Sequence, residues 1–139
     1  MTKEQMMDLV RQALAMTEKS YAPYSHFHVG AAVLAESGRI YTGANVENAA
    51  FGAGTCAERN AIFHAVACGE RAFRAIAVCG GREGVVTSYC PPCGICRQTL
   101  REFCDPKRFE VILVKSAEDC RILTLEQLLP ESFGPDALS

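Results

Sequence analysis

Two stretches, Thr55-Cys56-Ala57-Glu58-Arg59 and Pro92-Cys93-Gly94-Ile95-Cys96, decide how the rest of the chain is read. Each opens a run of helical character, 57–68 after Cys56 and 95–104 after Cys93. A helix start leaves N–H groups unpaired and carries partial positive charge, which favours thiolate over thiol. Pro92 has no N–H to donate and fits just before a helix, where that donor would be spare. The three-residue spacing puts Cys93 and Cys96 on one helix face. Two such helix starts, brought together, offer Cys56, Cys93 and Cys96 to one tetrahedral metal. Three protein ligands leave the fourth position for water, the arrangement of a catalytic rather than a structural zinc. Glu58, two residues past the first ligand, stands where the open position needs a proton carrier.

Other metal chemistries compete for the same cysteines. Cys90, Cys93 and Cys96 also spell C-x-x-C-x-x-C, the opening of an iron–sulfur run, but Cys104 comes late for it and lacks the following proline. A purely structural zinc could use Cys56, Cys93, Cys96 and either Cys90 or Cys104, and would turn nothing over. Eight cysteines in 139 residues also raise the possibility of a disulfide scaffold. Against that, the chain is not loop-rich, lacks a secretory h-region, and sets Cys68, Cys79 and Cys120 in apolar contexts, where free cysteines act as small hydrophobes.

Outward from the two motifs, residues 3–17 carry Met6, Met7, Leu9, Val10, Ala13, Leu14 and Met16 among charges at near-helical spacing. They predict an amphipathic first helix with its methionines in the core. Pro23 breaks it. Residues 28–35 and 40–46 predict a hairpin around the turn 36–39. Asn45-Val46-Glu47-Asn48 then lies at a strand end, where α/β folds place ligand contacts. Gly69 suits the end of the second helix. Residues 75–79 predict a short buried strand, and 80–84 a flexible connection. The third helix runs to about Cys104, stopped by Asp105-Pro106. Strands at 110–114 and 121–123 are joined too tightly for a crossover, so they pair antiparallel. Thr124 caps a short helix over 124–129, with Glu126 and Gln127 placed to support the cap. The layout is α/β, a mixed sheet flanked by helices in a single domain, 1–139.

A formal charge of −2, with no Lys/Arg block, lacks the basic stripe that phosphate contacts demand, so a small uncharged substrate is expected and no nucleic acid. No apolar run is long enough to span a bilayer, and residues 1–5 lead into an amphipathic stretch rather than a signal sequence. The expectation is no membrane and a cytoplasmic location.

Over nearly its whole length the chain resembles the short, homotetrameric cytidine deaminases. The resemblance rests on Tyr24-Ser25-His26-Phe27-His28-Val29-Gly30-Ala31-Ala32, Asn45-Val46-Glu47-Asn48-Ala49, the two cysteine motifs continued through Arg97-Gln98, and Leu128-Leu129-Pro130. It implies a three-layer sandwich with roughly five strands and one zinc per chain on Cys56, Cys93 and Cys96. Cytidine and deoxycytidine would be deaminated, with Glu58 as proton carrier, in pyrimidine salvage. It further implies that Asn45 and Glu47 take the ribose 3′-hydroxyl, and that Phe27 and Ala57 meet the base. Phe133 would enter a neighbouring subunit's site. Arg59, helped by Gln98, would offset the charge of three thiolates. A deaminase of a cytosine-containing antibiotic such as blasticidin S would share the metal motifs, but Asn45, Glu47 and the Phe27 segment favour the nucleoside. The chain departs from the family at Phe51, where tyrosine is common, at Asn60, often threonine, and in the added Cys90-Pro91. His26, His28 and His64 match no ligand position.

Overall fold

The computed structural model describes residues 1–139. Five strands form one sheet in the order β2-β1-β3-β4-β5: β1 Phe27–Ala35, β2 Ile40–Ala44, β3 Phe73–Arg82, β4 Glu110–Ser116 and β5 Asp119–Thr124. Only β3 and β4 pair in parallel; the other neighbours are antiparallel, including the β1/β2 hairpin and the β4/β5 pair. Of the helices, α1 spans Lys3–Met16, α2 Ala57–Ala67, α3 Gly94–Arg101 and α4 Leu125–Leu128. The parallel pair needs a crossover, and α3 supplies it.

Period-two alternation sends each strand's side chains to two separate cores. Ala31, Val33, Ile76, Val78, Val111 and Leu113 face α2 and α3, meeting Ala61, Ile62 and Leu100. Ala32, Leu34, Ala75, Ala77, Ile112 and Val114 face α1, meeting Leu9, Val10 and Ala13. The result is the expected three-layer sandwich. Both outer layers press hard on the sheet. A Cβ at Gly30 would stand 2.8 Å from Thr17 N just after α1, and one at Gly43 would stand 2.5 Å from the Ala57 carbonyl of α2.

The structure corrects the sequence at several boundaries. Residues 80–82 are not a flexible connection but the end of β3, paired to Phe27, His28 and Val29 of β1. The glycines there make room for packing rather than looseness: a Cβ on Gly80 would meet the Phe27 ring at 2.9 Å and Cys90 Sγ at 3.2 Å. The third helix ends at Arg101, short of Cys104. Phe103 N closes back on Leu100 O at 3.1 Å, and its ring turns edge-on to Phe73, centroids 5.7 Å apart. Met7 is 63% exposed rather than core, because the buried stripe of α1 runs through Leu9, Val10 and Ala13 and position 7 lies off it. Thr124 does cap α4, and Gln127 completes the box. Gly69 adopts φ +100° just past α2, where only glycine is free of strain.

Candidate metal and substrate site

Cys56 and Cys93 occupy equivalent places, each the residue immediately before a helix, in extended backbone (ψ 155° and 166°). Their side chains make no capping hydrogen bond, so the first N–H groups of α2 and α3 stay unpaired beside the sulfurs. Cys56 Sγ lies 3.8 Å from Cys93 Sγ, and Cys93 Sγ 3.5 Å from Cys96 Sγ. All three sulfurs fall within 4.8 Å of one another. Zinc bonds of about 2.3 Å to tetrahedral thiolates require sulfurs about 3.8 Å apart, so this spacing fits the ion. Cys96 is buried, Cys56 half-buried and Cys93 exposed, which leaves the cage open on one side.

The chemistry of the donors fits as well. The Cys56 thiol is pulled down to about 5 by a hydrogen bond from Cys96, with Arg59 and Cys93 adding to it against burial. Cys96, as the donor to that thiolate, is pushed up. Arg59 Nη2 donates to Cys56 Sγ at 3.5 Å, and its Nε is buried without a partner. Three thiolates exceed a divalent ion's charge by one, and this guanidinium has donors to spare for the excess. The other thiols contrast with these. Burial pushes Cys79 and Cys104 up to about 12 and Cys90 to about 11, the state of inert structural cysteines. Neither Cys90 nor Cys104 joins the cluster; Cys104 Sγ donates to Leu100 O at 3.1 Å. A four-cysteine or iron–sulfur arrangement therefore has no fourth sulfur in place. All eight cysteines are unpaired.

Glu58 lies in the first turn of α2 and is 4% exposed. Burial, with the Cys56 charge adding to it, pushes its carboxyl up to about 7. A carboxyl that binds and releases protons near neutrality is suited to general acid–base work.

Next to the cysteines a cleft of about 480 Å³ runs past Cys56 and Arg59 to Asn45, Val46, Glu47, Phe51 and Tyr24. That volume suits a small molecule. Its walls are laced together from three segments. Tyr21 N donates to Asn45 O, Glu47 N to Tyr21 O, and Val46 and Thr55 exchange both their backbone bonds. The lacing brings Asn45 and Glu47 to the same place as Cys56. Asn45 Oδ1 accepts from Val29 N at 2.8 Å and from the Ser20 hydroxyl, while Nδ2 donates to Phe27 O at 2.9 Å. One amide N–H remains to offer. Glu47 Oε1 accepts from Tyr24 N and Ser25 N, each at 3.0 Å, and Oε2 from the Ser25 hydroxyl. These bonds, the Ser25 hydroxyl's foremost, hold its carboxyl below the usual range and keep it an acceptor.

A family model for the cytidine and deoxycytidylate deaminase zinc-binding region matches residues 3–112, which include all three cysteines. The cytidine deaminase of Sporosarcina psychrophila is 44% identical over 131 residues, covering 94% of this chain and 93% of that protein. That of Halalkalibacterium halodurans is 42% identical over 131 residues, with coverage of 94% and 96%. The crystal structure of a cytidine deaminase from Burkholderia pseudomallei superposes with TM-score 0.83 at 43% identity, over 96% of this chain and 100% of that one. This chain belongs to the cytidine and deoxycytidylate deaminase family.

The family's zinc-binding region spans the three-cysteine cage, whose donors are compatible with a zinc site. The other predicted residues fall into two groups. Asn45, Glu47 and Arg59 line the cleft with Cys56. Phe27 and Ala57 do not line it: Phe27, at the start of β1, is 39% exposed with its ring against Gly80, and Ala57 is buried at the start of α2. Gln98 does not reach Arg59, contrary to expectation. It lies exposed on α3, and its amide donates to Phe133 O at 2.9 Å. Phe133 stands outside the cleft of its own chain, 60% exposed. Ser20 is the residue that sequence reasoning missed. Its tie to Asn45 spans 25 positions, and no local pattern signals it. Asn60, noted only as a departure, fastens α2 to the end of β2 through Nδ2 to Ala44 O, 2.7 Å.

Proposed function

We propose that this chain hydrolyses cytidine and deoxycytidine to uridine and deoxyuridine with release of ammonia, as a step of pyrimidine salvage. The observation that carries the reading is the placement of Glu58, a carboxyl only 4% exposed, in the first turn of α2 directly after Cys56 of the three-cysteine cage. Zinc held by Cys56, Cys93 and Cys96 would supply Lewis acidity, lowering the pKa of water toward neutrality. Glu58 takes the proton that the attacking water loses as oxygen adds to C4 of the ring, and passes it to N3. It then moves the remaining hydroxyl proton to the exocyclic nitrogen, which leaves as ammonia while the C4 carbonyl forms. Arg59 holds Cys56 through its Nη2 donor and limits the charge that the thiolates push onto the ion.

Recognition falls to the laced loops. Asn45 offers its free amide N–H and Glu47 its ionised carboxylate to the ribose 3′-hydroxyl, one as donor and the other as acceptor. The same carboxylate repels a 3′-phosphate, which selects free nucleosides over polynucleotides. Phe27 and Ala57 stand outside the cleft of the single chain, so the base must reach past its wall for the half-exposed Phe27 ring to cover it and for the first-turn N–H at Ala57 to meet it. Phe51 has no hydroxyl, so the 5′ side of the sugar meets an apolar edge there.

The chain acts as a homotetramer with its sites at subunit interfaces. Support comes from Tyr24 at 50%, Phe51 at 80% and Phe133 at 60% exposure, aromatic side chains uncovered by their own domain. Phe133 completes the cleft of a neighbour. A cytoplasmic location accords with the unpaired thiols, and no helix is long and apolar enough to cross a membrane.

Ultraviolet absorbance of cytidine with wild type and Glu58→Gln, with zinc assayed in both, tests the reading. Wild type converts cytidine, while the variant retains zinc and loses at least about 100-fold in turnover. Wild type that carries zinc and leaves cytidine and other aminopyrimidines untouched overturns it.

A further inference from the structure

The C-terminal tail is fastened to the helix that carries two of the three metal ligands. From α3, Arg97 Nη1 donates to Leu128 O at 2.7 Å and Gln98 Nε2 to Phe133 O at 2.9 Å. Arg101 Nε donates to Ser132 Oγ and Nη2 to Asp136 Oδ1, both at 2.8 Å. The Arg101 side chain is only 12% exposed. Its guanidinium packs against Gly134. A Cβ there would stand 2.8 Å from Nη2 and nearer still to Cζ and Nη1.

Gly134 needs no glycine for its backbone, which is extended at φ −155°, ψ −174°. What a Cβ at position 134 would meet is the guanidinium itself, the end of a flexible side chain, which would have to shift to make room. The residue before it is then held in an unusual way. The carbonyl of Phe133 is bonded to Gln98, and Ser132 and Gly134 on either side are held by Arg101, yet the aromatic ring projects 60% exposed. Fixing the backbone while leaving the ring uncovered lowers the ordering cost of seating that ring elsewhere.

We propose that Arg101 and Gly134 form a clamp that positions Phe133 for a neighbouring subunit's cleft, an inference that rests on the cross-subunit reading of Phe133. Arg101 and Gly134 are positioning residues and touch no substrate. A Cβ at 134 forces the guanidinium to give up its bonds to Ser132 and Asp136, and the tail then loses its fixed path.

The test is steady-state kinetics on cytidine, with zinc content and sedimentation, for Gly134→Ala, Arg101→Ala, the double variant and Phe133→Ala. Each clamp variant raises KM roughly five-fold, the worth of one aromatic contact, with kcat and zinc content held within about two-fold. The double variant is no worse than Arg101→Ala, because the added Cβ then meets no guanidinium. Ser132→Ala, on the half-buried tail, cannot upset the core and shifts KM the same way by less. If Phe133→Ala raises KM while Gly134→Ala does not, or if the two clamp changes simply add, the clamp is wrong and the cross-subunit reading stands. If Phe133→Ala itself leaves KM unchanged, the cross-subunit reading falls and the clamp's purpose falls with it.

Discussion

Gly43→Ala tests whether the seat of α2 on the sheet governs the metal site. In the structure a Cβ at position 43 would stand 2.5 Å from Ala57 O and 2.9 Å from Asn60 C, with Ala61 N closer still. These are backbone atoms of a helix, which cannot swing aside like a side-chain end. Ordinary contact begins at 3.4 Å, so α2 must retreat by about 1 Å at its N-terminal turn. Overpacking of that kind costs about 1–3 kcal/mol. The loss of unfolded-chain entropy on replacing glycine returns about 0.4–1 kcal/mol. Overpacking wins, and the net destabilisation of about 1–2 kcal/mol lowers the melting temperature by about 3–8 °C.

The effect on chemistry is larger than the effect on stability. The retreating turn carries Cys56 and Glu58, and misplacing a catalytic group by about 1 Å costs about 100-fold in rate. Differential scanning calorimetry and kcat/KM on cytidine, with Gly52→Ala as control, separate the two. Nothing lies within 4 Å of a Cβ at Gly52, so that variant keeps wild-type kcat/KM and is as stable as wild type or more so by about 0.4–1 kcal/mol. Gly43→Ala with unaltered stability would refute the close approach. Lower stability with kcat/KM within about three-fold of wild type would refute the link between the helix seat and the site.

Two further outcomes follow from the electrostatics. Arg59→Ala removes the only cationic donor to the Cys56 sulfur and lowers kcat by about ten- to hundred-fold, with the fold intact by circular dichroism; unchanged kinetics would remove the charge-balancing role. Glu47 has its carboxyl pKa depressed chiefly by the Ser25 hydroxyl, so its ionised form persists below the ordinary carboxylate range and is lost only as pH falls through the depressed value. Ser25→Ala therefore makes the acid-side rise in KM begin at a higher pH than in wild type, and superimposable KM–pH profiles would show that Ser25 does not tune Glu47.

Much of this site is legible in the sequence because its parts are local. Cysteine at spacing three before a helix, with glutamate two residues after another such cysteine, fixes ligand type, helix phase and open position together. Strands are equally readable where the chain carries a short continuous apolar run, as in 110–114, whose side chains feed both cores. Reading failed where long-range packing decides. Gly80-Gly81 looks like a loop by composition, yet becomes strand because β1 pairs along it and the Phe27 ring and Cys90 take the space above Gly80. Gln98 reads as a helper for Arg59 because both sit near ligands. Which carbonyl its amide meets depends on where residues 128–136 fold back, and periodicity carries no information about that.

The four α-helices divide by how they begin. Both α1 and α4 start with threonine in a complete capping box, Thr2 with Gln5 and Thr124 with Gln127. Such a residue is worth about 1 kcal/mol to its helix. By contrast α2 and α3 start with Cys56 and Cys93, which cap nothing, and so forgo that stabilisation. Their first N–H groups stay free beside the two sulfurs instead. Something else must then hold these two helix starts in place. For α2 it is Gly43 beneath the first turn and the Asn60 bond to Ala44 O. For α3 it is Arg97, whose Nε reaches back to Pro92 O at 2.7 Å while Nη1 grips Leu128 O. Tertiary contacts have replaced local caps at the two positions where the cap residue belongs to the three-cysteine cluster. That is why the site depends on packing more than either cysteine motif suggests.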